Sequence, residues 1–287
     1  MAVPEIGVAL EMRQFVVAFF DILGQRESLA AMGPVPSKKE DARAFEEQAA
    51  RTLGAVFEFR RLFNEYMAAY IQTPPPEWVA GLASTDQQRV LECSDAEIGF
   101  QGFSDTLIVY LPVMNRHGRC QWRGIHALLA ASAMLTPTLL SVGIPIRGGM
   151  EMGVGCEFVK GELYGPVLQA AYLLESKIAK YPRIVVGEKL AQFLDSSTLD
   201  PDPAKREGMS GEMYDRHMCW VGTDADGKRV VDYLGPSAQA MTGGHMDEVL
   251  RGAYAFARAE LQRLRSVGDG KLIPRYERLV QYFESRT

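Results

Sequence analysis

The chain has 287 residues, 47% of them hydrophobic and 23% charged, with a formal net charge of −5. That length holds one large α/β domain with a full core, and the near-average composition excludes collagen-like and disordered chains. An acidic chain without a basic run lacks the electrostatic footprint of a protein that binds duplex nucleic acid or an anionic membrane. The four cysteines, Cys93, Cys120, Cys156 and Cys219, are widely spaced and form no CxxC pair. The opening residues, MAVPEIGVALEMR, carry acids where a signal peptide needs a basic region. Both features point to reduced thiols in a cytoplasmic protein.

In chain order, Phe15 to Phe20 is a β-branched and aromatic run closed by Asp21, and it reads as a buried central strand. Ile22 to Gln25 turns the chain, with Gly24 free to bring backbone close to a ligand. Residues 38–70 place Ala49, Leu53, Val56, Phe57, Phe63 and Met67 at helical spacing among charges, which predicts a long amphipathic helix. Thr73 to Pro76 stops it. From Ile98 to Leu111, two strand-like runs flank a tight Gly102–Asp105 segment, the signature of a hairpin. Residues 122–142 form a helix. The surrounding stretch, Ile125 to Ile146, is the most apolar of the chain, yet it carries His126, Ser132, Thr136 and Pro137. It therefore reads as a buried helix running into a strand, not as a membrane span.

Residues 144–154 read as a strand containing Gly148 and Gly149, and 162–165 closes its hairpin. Pro166 suits the first position of a helix reaching about Lys180. A strand over 183–186 and a short helix over 188–194 follow, then a polar loop over 196–210. Residues 219–221 and 229–234 flank Asp224–Gly227 as a second hairpin, and 246–265 and 275–286 are helical. This order predicts an α+β sandwich, with helices on a mostly antiparallel sheet. We place one domain over residues 1–235 and a helical extension over 236–287 packed on the same domain.

Asp21 and Asp105 both stand at strand ends, where their side chains leave the core. If the first strand and the hairpin are neighbours, the two carboxylates converge. Hard oxygen ligands of this kind suit Mg²⁺ or Mn²⁺, and the carbonyl of Ile22 offers a further ligand. A metal pair serves phosphoryl chemistry, one ion activating a hydroxyl and the other neutralising leaving phosphates. Read singly, Asp21 caps the next helix and Asp105 is an ordinary turn residue.

Residues 19–25, FFDILGQ, resemble the first metal-binding motif of class III nucleotidyl cyclases, whose usual form is F-x-D-I-x-G-F. Phe103-Ser104-Asp105 resembles the second metal aspartate of that family, also carried in a hairpin. Residues 144–153 resemble its following strand, and Gly165 to Glu175 the helix bearing its N-x-x-A-R element. Here Ala170 and Ala171 are followed by Tyr172 where the transition-state arginine belongs, and Leu168 or Gln169 occupies the asparagine position. The residues that select adenine have no counterparts. The spelling is most similar to the uridylate and cytidylate cyclases of bacterial Pycsar anti-phage systems.

That resemblance implies a ferredoxin-type sandwich, two Mn²⁺ or Mg²⁺ ions, and UTP or CTP as substrate, UTP being preferred. It also implies a head-to-tail homodimer with active sites at the interface, and a cyclic nucleotide acting on a separate effector protein. By the same resemblance Asp21, Asp105 and Tyr172 are catalytic, and Asp21, Ile22 and Asp105 hold metal. Phe20, Gly24, Gln25, Arg60 and Arg147 contact the nucleotide. Apart from the resemblance, Arg147 is equally a cross-strand surface pair, Arg60 part of a solvated helix face and Tyr172 a half-buried core residue. The amides of Leu23, Gly24 and Gln25 are placed to receive a phosphate. The four histidines form no metal or triad spacing. The competing class is a cyclase-like module that senses a nucleotide or binds a partner without catalysis.

Overall fold

The computed structural model describes residues 11–72, 84, 87, 88, 96–196 and 220–286. Strand β1 (Arg13–Ile22) presents two apolar faces, with Val16, Ala18, Phe20 and Ile22 buried on one and Phe15 and Val17 on the other. Neither face of such a strand can be left to water, and the strand lies inside the sheet. β2 (Gly99–Phe103) and β3 (Thr106–Pro112) form the predicted hairpin, and β3 pairs antiparallel with β1. On the other side β1 pairs antiparallel with β4 (Ile146–Val159), whose far end folds back on β5 (Glu162–Tyr164). β6 (Ile184–Val186) joins β4 in parallel, and β7 (Val221–Thr223) and β8 (Arg229–Val231) complete the sheet. The strand order is β2-β3-β1-β4-β6-β8-β7.

The first four strands lie in the order 2-3-1-4, with helices after β1 and β3. This interleaving of two split βαβ units is the ferredoxin-type sandwich. One face of the sheet is covered by α2 (Lys39–Gln72), which follows the short α1 (Gln25–Ala30), and by α3 (Trp122–Ser141). Phe20 packs there against Phe59 and Phe63 of α2. α3 is long and apolar enough to cross a membrane, but 83% of its apolar window is buried inside the protein. Its apolar surface already faces α2 and the helix over Asp247–Val267.

The opposite face is covered by α4 (Pro166–Leu173), which continues as a π-helical turn over Leu174–Ala179. α4 lies directly on the sheet backbone because Gly149 and Gly153 present no side chain beneath it. After β6 comes α5 (Glu188–Ser196), where buried Glu151 accepts a 2.9 Å bond from the amide of Leu190. α6 (Pro236–Thr242), α7 (Asp247–Val267) and α8 (Ile273–Glu284) follow β8. Ala253, Ala257, Leu264, Leu279 and Phe283 of α7 and α8 join the same core cluster as Val16 and Phe20. Asp232, just after β8, accepts bonds from the Tyr282 hydroxyl (2.6 Å) and Arg286 (2.9 Å), which fasten α8 to the sheet.

Several boundaries differ from the sequence reading. β4 starts at Ile146 and runs five residues past Val154, because pairing with β5 holds its extension. The helix predicted from Pro166 is regular only to Leu173 before the π turn. Helix α6 was not predicted. The Thr73–Pro76 stop, residues 197–210 of the polar loop, Cys93, Cys219 and His217 lie outside the described residues. Cys120 and Cys156 are buried free thiols.

Candidate active site

Asp21 is the penultimate residue of β1, and its side chain lies on the α4 face with Val17 and Phe19. Its cross-strand neighbours are Thr106 on β3 and Arg147 on β4. Asp105 sits in the two-residue turn Ser104–Asp105, directly before Thr106, and Ser104 takes the left-handed conformation the tight turn requires (φ 52°). Strand pairing therefore hangs Asp105 beside Asp21, although 84 positions separate them in the chain. Burial, and then the negative charge of Asp105, push the Asp21 carboxyl above its ordinary range. Arg147 opposes this from 3.4 Å.

Arg147 also meets Glu175 in a close ion pair, although their approach lacks the alignment of a hydrogen bond. Glu175 belongs to the π turn and is buried at 2% exposure. Burial pushes its carboxyl up to about 7, with Arg147 opposing and the two aspartates adding to the rise. The π turn adds a residue to the helical repeat and redirects Glu175 inward, over Gly149. Gly149 is what admits it: a Cβ there would lie 2.7 Å from the Glu175 amide nitrogen.

The remaining candidates are placed as follows. Ile22 ends β1 opposite Ile146 and borders the cavity beside Asp21. Phe20 is fully buried in the core on the α2 face, so its side chain is closed to a nucleotide. Alternation along β1 dictates this, since adjacent residues point to opposite faces. The Leu23 amide donates to the carbonyl of Pro145 (2.8 Å), which removes it from any phosphate cradle. Gly24 is exposed with φ 86° and lines the cavity, while Gln25 is buried at the start of α1, a helix of only six residues. Arg60 reaches from α2 across Gly102 and donates to the carbonyls of Ser104 (2.8 Å) and Thr106 (3.4 Å). In this chain it latches the Asp105 turn instead of pointing at open space. Tyr172 is half-exposed on α4, edge-on to Phe19 with centroids 5.4 Å apart, and does not line the cavity with the aspartates.

That cavity has a volume of about 570 Å³. One wall carries Asp21, Asp105, Arg147 and the Ile22–Gly24 turn. The other comes from α7, α8 and the loop between them, with Glu260, Arg263, Lys271 and Arg275. Sequence reasoning missed both this second wall and Glu175. Nothing in the tail carries a motif, and only the tertiary fold brings Lys271 opposite Asp21. Glu175 stood within a quoted motif, but the π turn that aims it inward has no signature there.

Among the described residues no group of three or more His, Cys, Asp or Glu side chains forms a metal cage. The donor set present, two converging carboxylates with a strand-end carbonyl, fits a divalent ion that keeps waters and substrate oxygens in its shell.

No protein-family model and no curated protein matches the chain. Among solved structures it is similar to a bacterial light-regulated adenylyl cyclase, at 12% identity and a TM-score of 0.39, over 64% of this chain and 46% of that one. It is also similar to a class III adenylyl cyclase-like ATP-binding protein from Pseudomonas aeruginosa, at 13% identity and a TM-score of 0.40, over 91% of this chain and 47% of that one. The chain thus spans about half the length of these structures. Similarity of this order carries no argument about chemistry, and the fold assignment rests on the strand order itself.

Proposed function

We propose that the chain is a metal-dependent nucleotide cyclase that converts a pyrimidine nucleoside triphosphate, UTP before CTP, into its 3′,5′-cyclic nucleotide and pyrophosphate. The observation that carries the reading is the meeting of Asp21 and Asp105 beside Arg147 at the mouth of a cavity large enough for a nucleotide. In the reaction the ribose 3′-oxygen attacks the α-phosphorus in line. The new O3′–P bond forms as the bond from the α-phosphorus to the bridging oxygen breaks, and the hydroxyl proton passes to solvent. Asp21, Asp105 and the Ile22 carbonyl would hold Mg²⁺ or Mn²⁺, which would supply hydroxyl activation and charge neutralisation. Arg147 steadies Asp21, and by the motif resemblance it is one of the nucleotide contacts.

The pyrimidine preference, the anti-phage role and a separate effector that reads the product rest on the motif resemblance. The homodimer has an additional support. Phe103 and Tyr172, both on the α4 side of the sheet, are exposed at 79% and 47%. A second copy seated there would bring a Tyr172 hydroxyl towards the neighbouring site, in place of the absent arginine. A second reading, a nucleotide sensor without turnover, is favoured by the hold that Asp21 and Glu175 keep on Arg147.

Purified protein incubated with each of ATP, GTP, CTP and UTP plus Mn²⁺, with products resolved by mass, tests the proposal. One cyclic pyrimidine nucleotide that vanishes in Asp21→Ala is expected. Full activity in Asp21→Ala would refute the site, and no product from any of the four favours the sensor.

A further inference from the structure

The wall of the cavity facing the aspartates is basic, and its charges differ in how far they are already satisfied. Arg263 on α7 forks onto Glu260 one turn earlier, at 2.7 and 2.6 Å, which neutralises both. Lys271, in the α7–α8 loop, and Arg275, in the first turn of α8, also line the cavity. Among the described residues neither side chain makes a hydrogen bond or ion pair. The loop that carries them is itself held: Asp269 accepts from the amides of Lys271 (3.0 Å) and Leu272 (2.9 Å), and Tyr276 is buried behind them. Two free cations thus stand on a fixed support across a cavity from the Asp21 and Asp105 carboxylates.

We propose that Lys271 and Arg275 form a polyphosphate clamp, which receives the β- and γ-phosphates of the substrate and retains pyrophosphate after the α-phosphorus has been attacked. The inference rests on the cyclase reading for the reaction, and on the cavity alone for the class of ligand. Asp21 and Asp105 would bind the phosphates only through cations, whereas Lys271 and Arg275 meet them directly by charge-assisted bonds. Arg275 offers a planar fork and Lys271 a point charge, a combination suited to two phosphates of different orientation. The helical tail thereby becomes part of the binding site in the same chain.

The test is calorimetric titration of inorganic pyrophosphate with excess Mg²⁺ into the full chain, the double variant Lys271→Ala/Arg275→Ala, and Arg275→Lys, with uridine monophosphate as a ligand lacking the outer phosphates. Loss of two charge-assisted contacts should weaken pyrophosphate by roughly tenfold or more. The monophosphate should be unaffected, and Arg275→Lys should keep much of the affinity. Both side chains are partly or fully exposed, and matching melting temperatures confirm that the variants fold. Equal pyrophosphate affinity in wild type and double variant overturns the clamp even if the enzyme cyclises nucleotides. A selective loss upholds it even if no nucleotide is turned over, in which case the cyclase reading fails and the polyphosphate site stands.

Discussion

Gly149→Ala joins packing to the site in a single added carbon. Gly149 lies on β4 beneath α4, and its missing side chain is the space that the Ala171 carbonyl, the Leu174 Cβ and the Glu175 amide occupy. A Cβ would stand 2.7 Å from the Glu175 nitrogen and closer still to the Ala171 oxygen, both backbone atoms that cannot rotate away. β4 is hydrogen-bonded on both sides, by β1 and β6, so the helix must lift instead. Overpacking of this kind costs about 1–3 kcal/mol. For a domain of this size that lowers the melting temperature by about 2–12 °C. Gly54→Ala is the matched comparison: it lies on an exposed face of α2 with nothing within 4 Å of the new carbon. There alanine should stabilise by about 0.5–1 kcal/mol, through helix propensity alone. Scanning calorimetry on the two variants should thus show shifts of opposite sign, with turnover impaired only in Gly149→Ala as Glu175 withdraws from Arg147. A Gly149→Ala protein that melts with or above the wild type would refute the account of why α4 sits where it does.

Three further outcomes are expected. Glu175 holds its proton up to about pH 7 in the fold and releases it near its ordinary 4.5 when unfolded, so the folded state carries the extra proton between these values. This group's contribution to stability should therefore decline from pH 4.5 to 7, and Glu175→Gln should flatten that decline in melting curves; an unchanged slope would dismiss the buried acid as its source. Arg60→Met should release the Ser104–Asp105 turn, lower stability by about 1–2 kcal/mol and weaken Mn²⁺ binding in calorimetry, and unaltered Mn²⁺ affinity would show that the latch does not position Asp105. Phe103→Glu, at a side chain 79% exposed, should shift the mass measured in solution from dimer to monomer without changing the melting of the protomer, whereas a wild type that is already monomeric counts against the interface.

The parts of this fold that were legible in the sequence are those whose signals are local. The run from Phe15 to Phe20 could only be a strand buried on both faces, and the hairpin before Thr106 follows from Gly102 and the turn residues after it. From these two elements the meeting of Asp21 and Asp105 needed only the guess that they are neighbours. Period-two alternation was also available to show that Phe20 and Asp21 cannot both face a ligand, and Phe20 is indeed in the core. What could not be read depends on contacts between distant elements. Arg60 spans a gap left by Gly102, the Leu23 amide is taken by Pro145, and the π turn shifts the register that aims Glu175. The α7 residues Phe256, Glu260 and Arg263 share one face at helical spacing, but nothing in that spacing says that the face closes a cavity.

The charges around the cavity give a reason for a two-walled site. Arg263 and Glu260 satisfy each other, and Arg147 is already held between Asp21 and Glu175. Asp21 and Asp105 remain on one wall, and Lys271 and Arg275 on the other. Across a cavity of about 570 Å³ these opposite charges do not meet, and each wall is left incomplete. A ligand that is anionic towards α8 and carries divalent cations towards the sheet completes both at once. A nucleoside triphosphate with its metal ions has this polarity; a nucleoside monophosphate or a free metal ion completes only one wall. On that basis affinity should rise sharply with the number of phosphates, and the rise should disappear when Lys271 and Arg275 are removed.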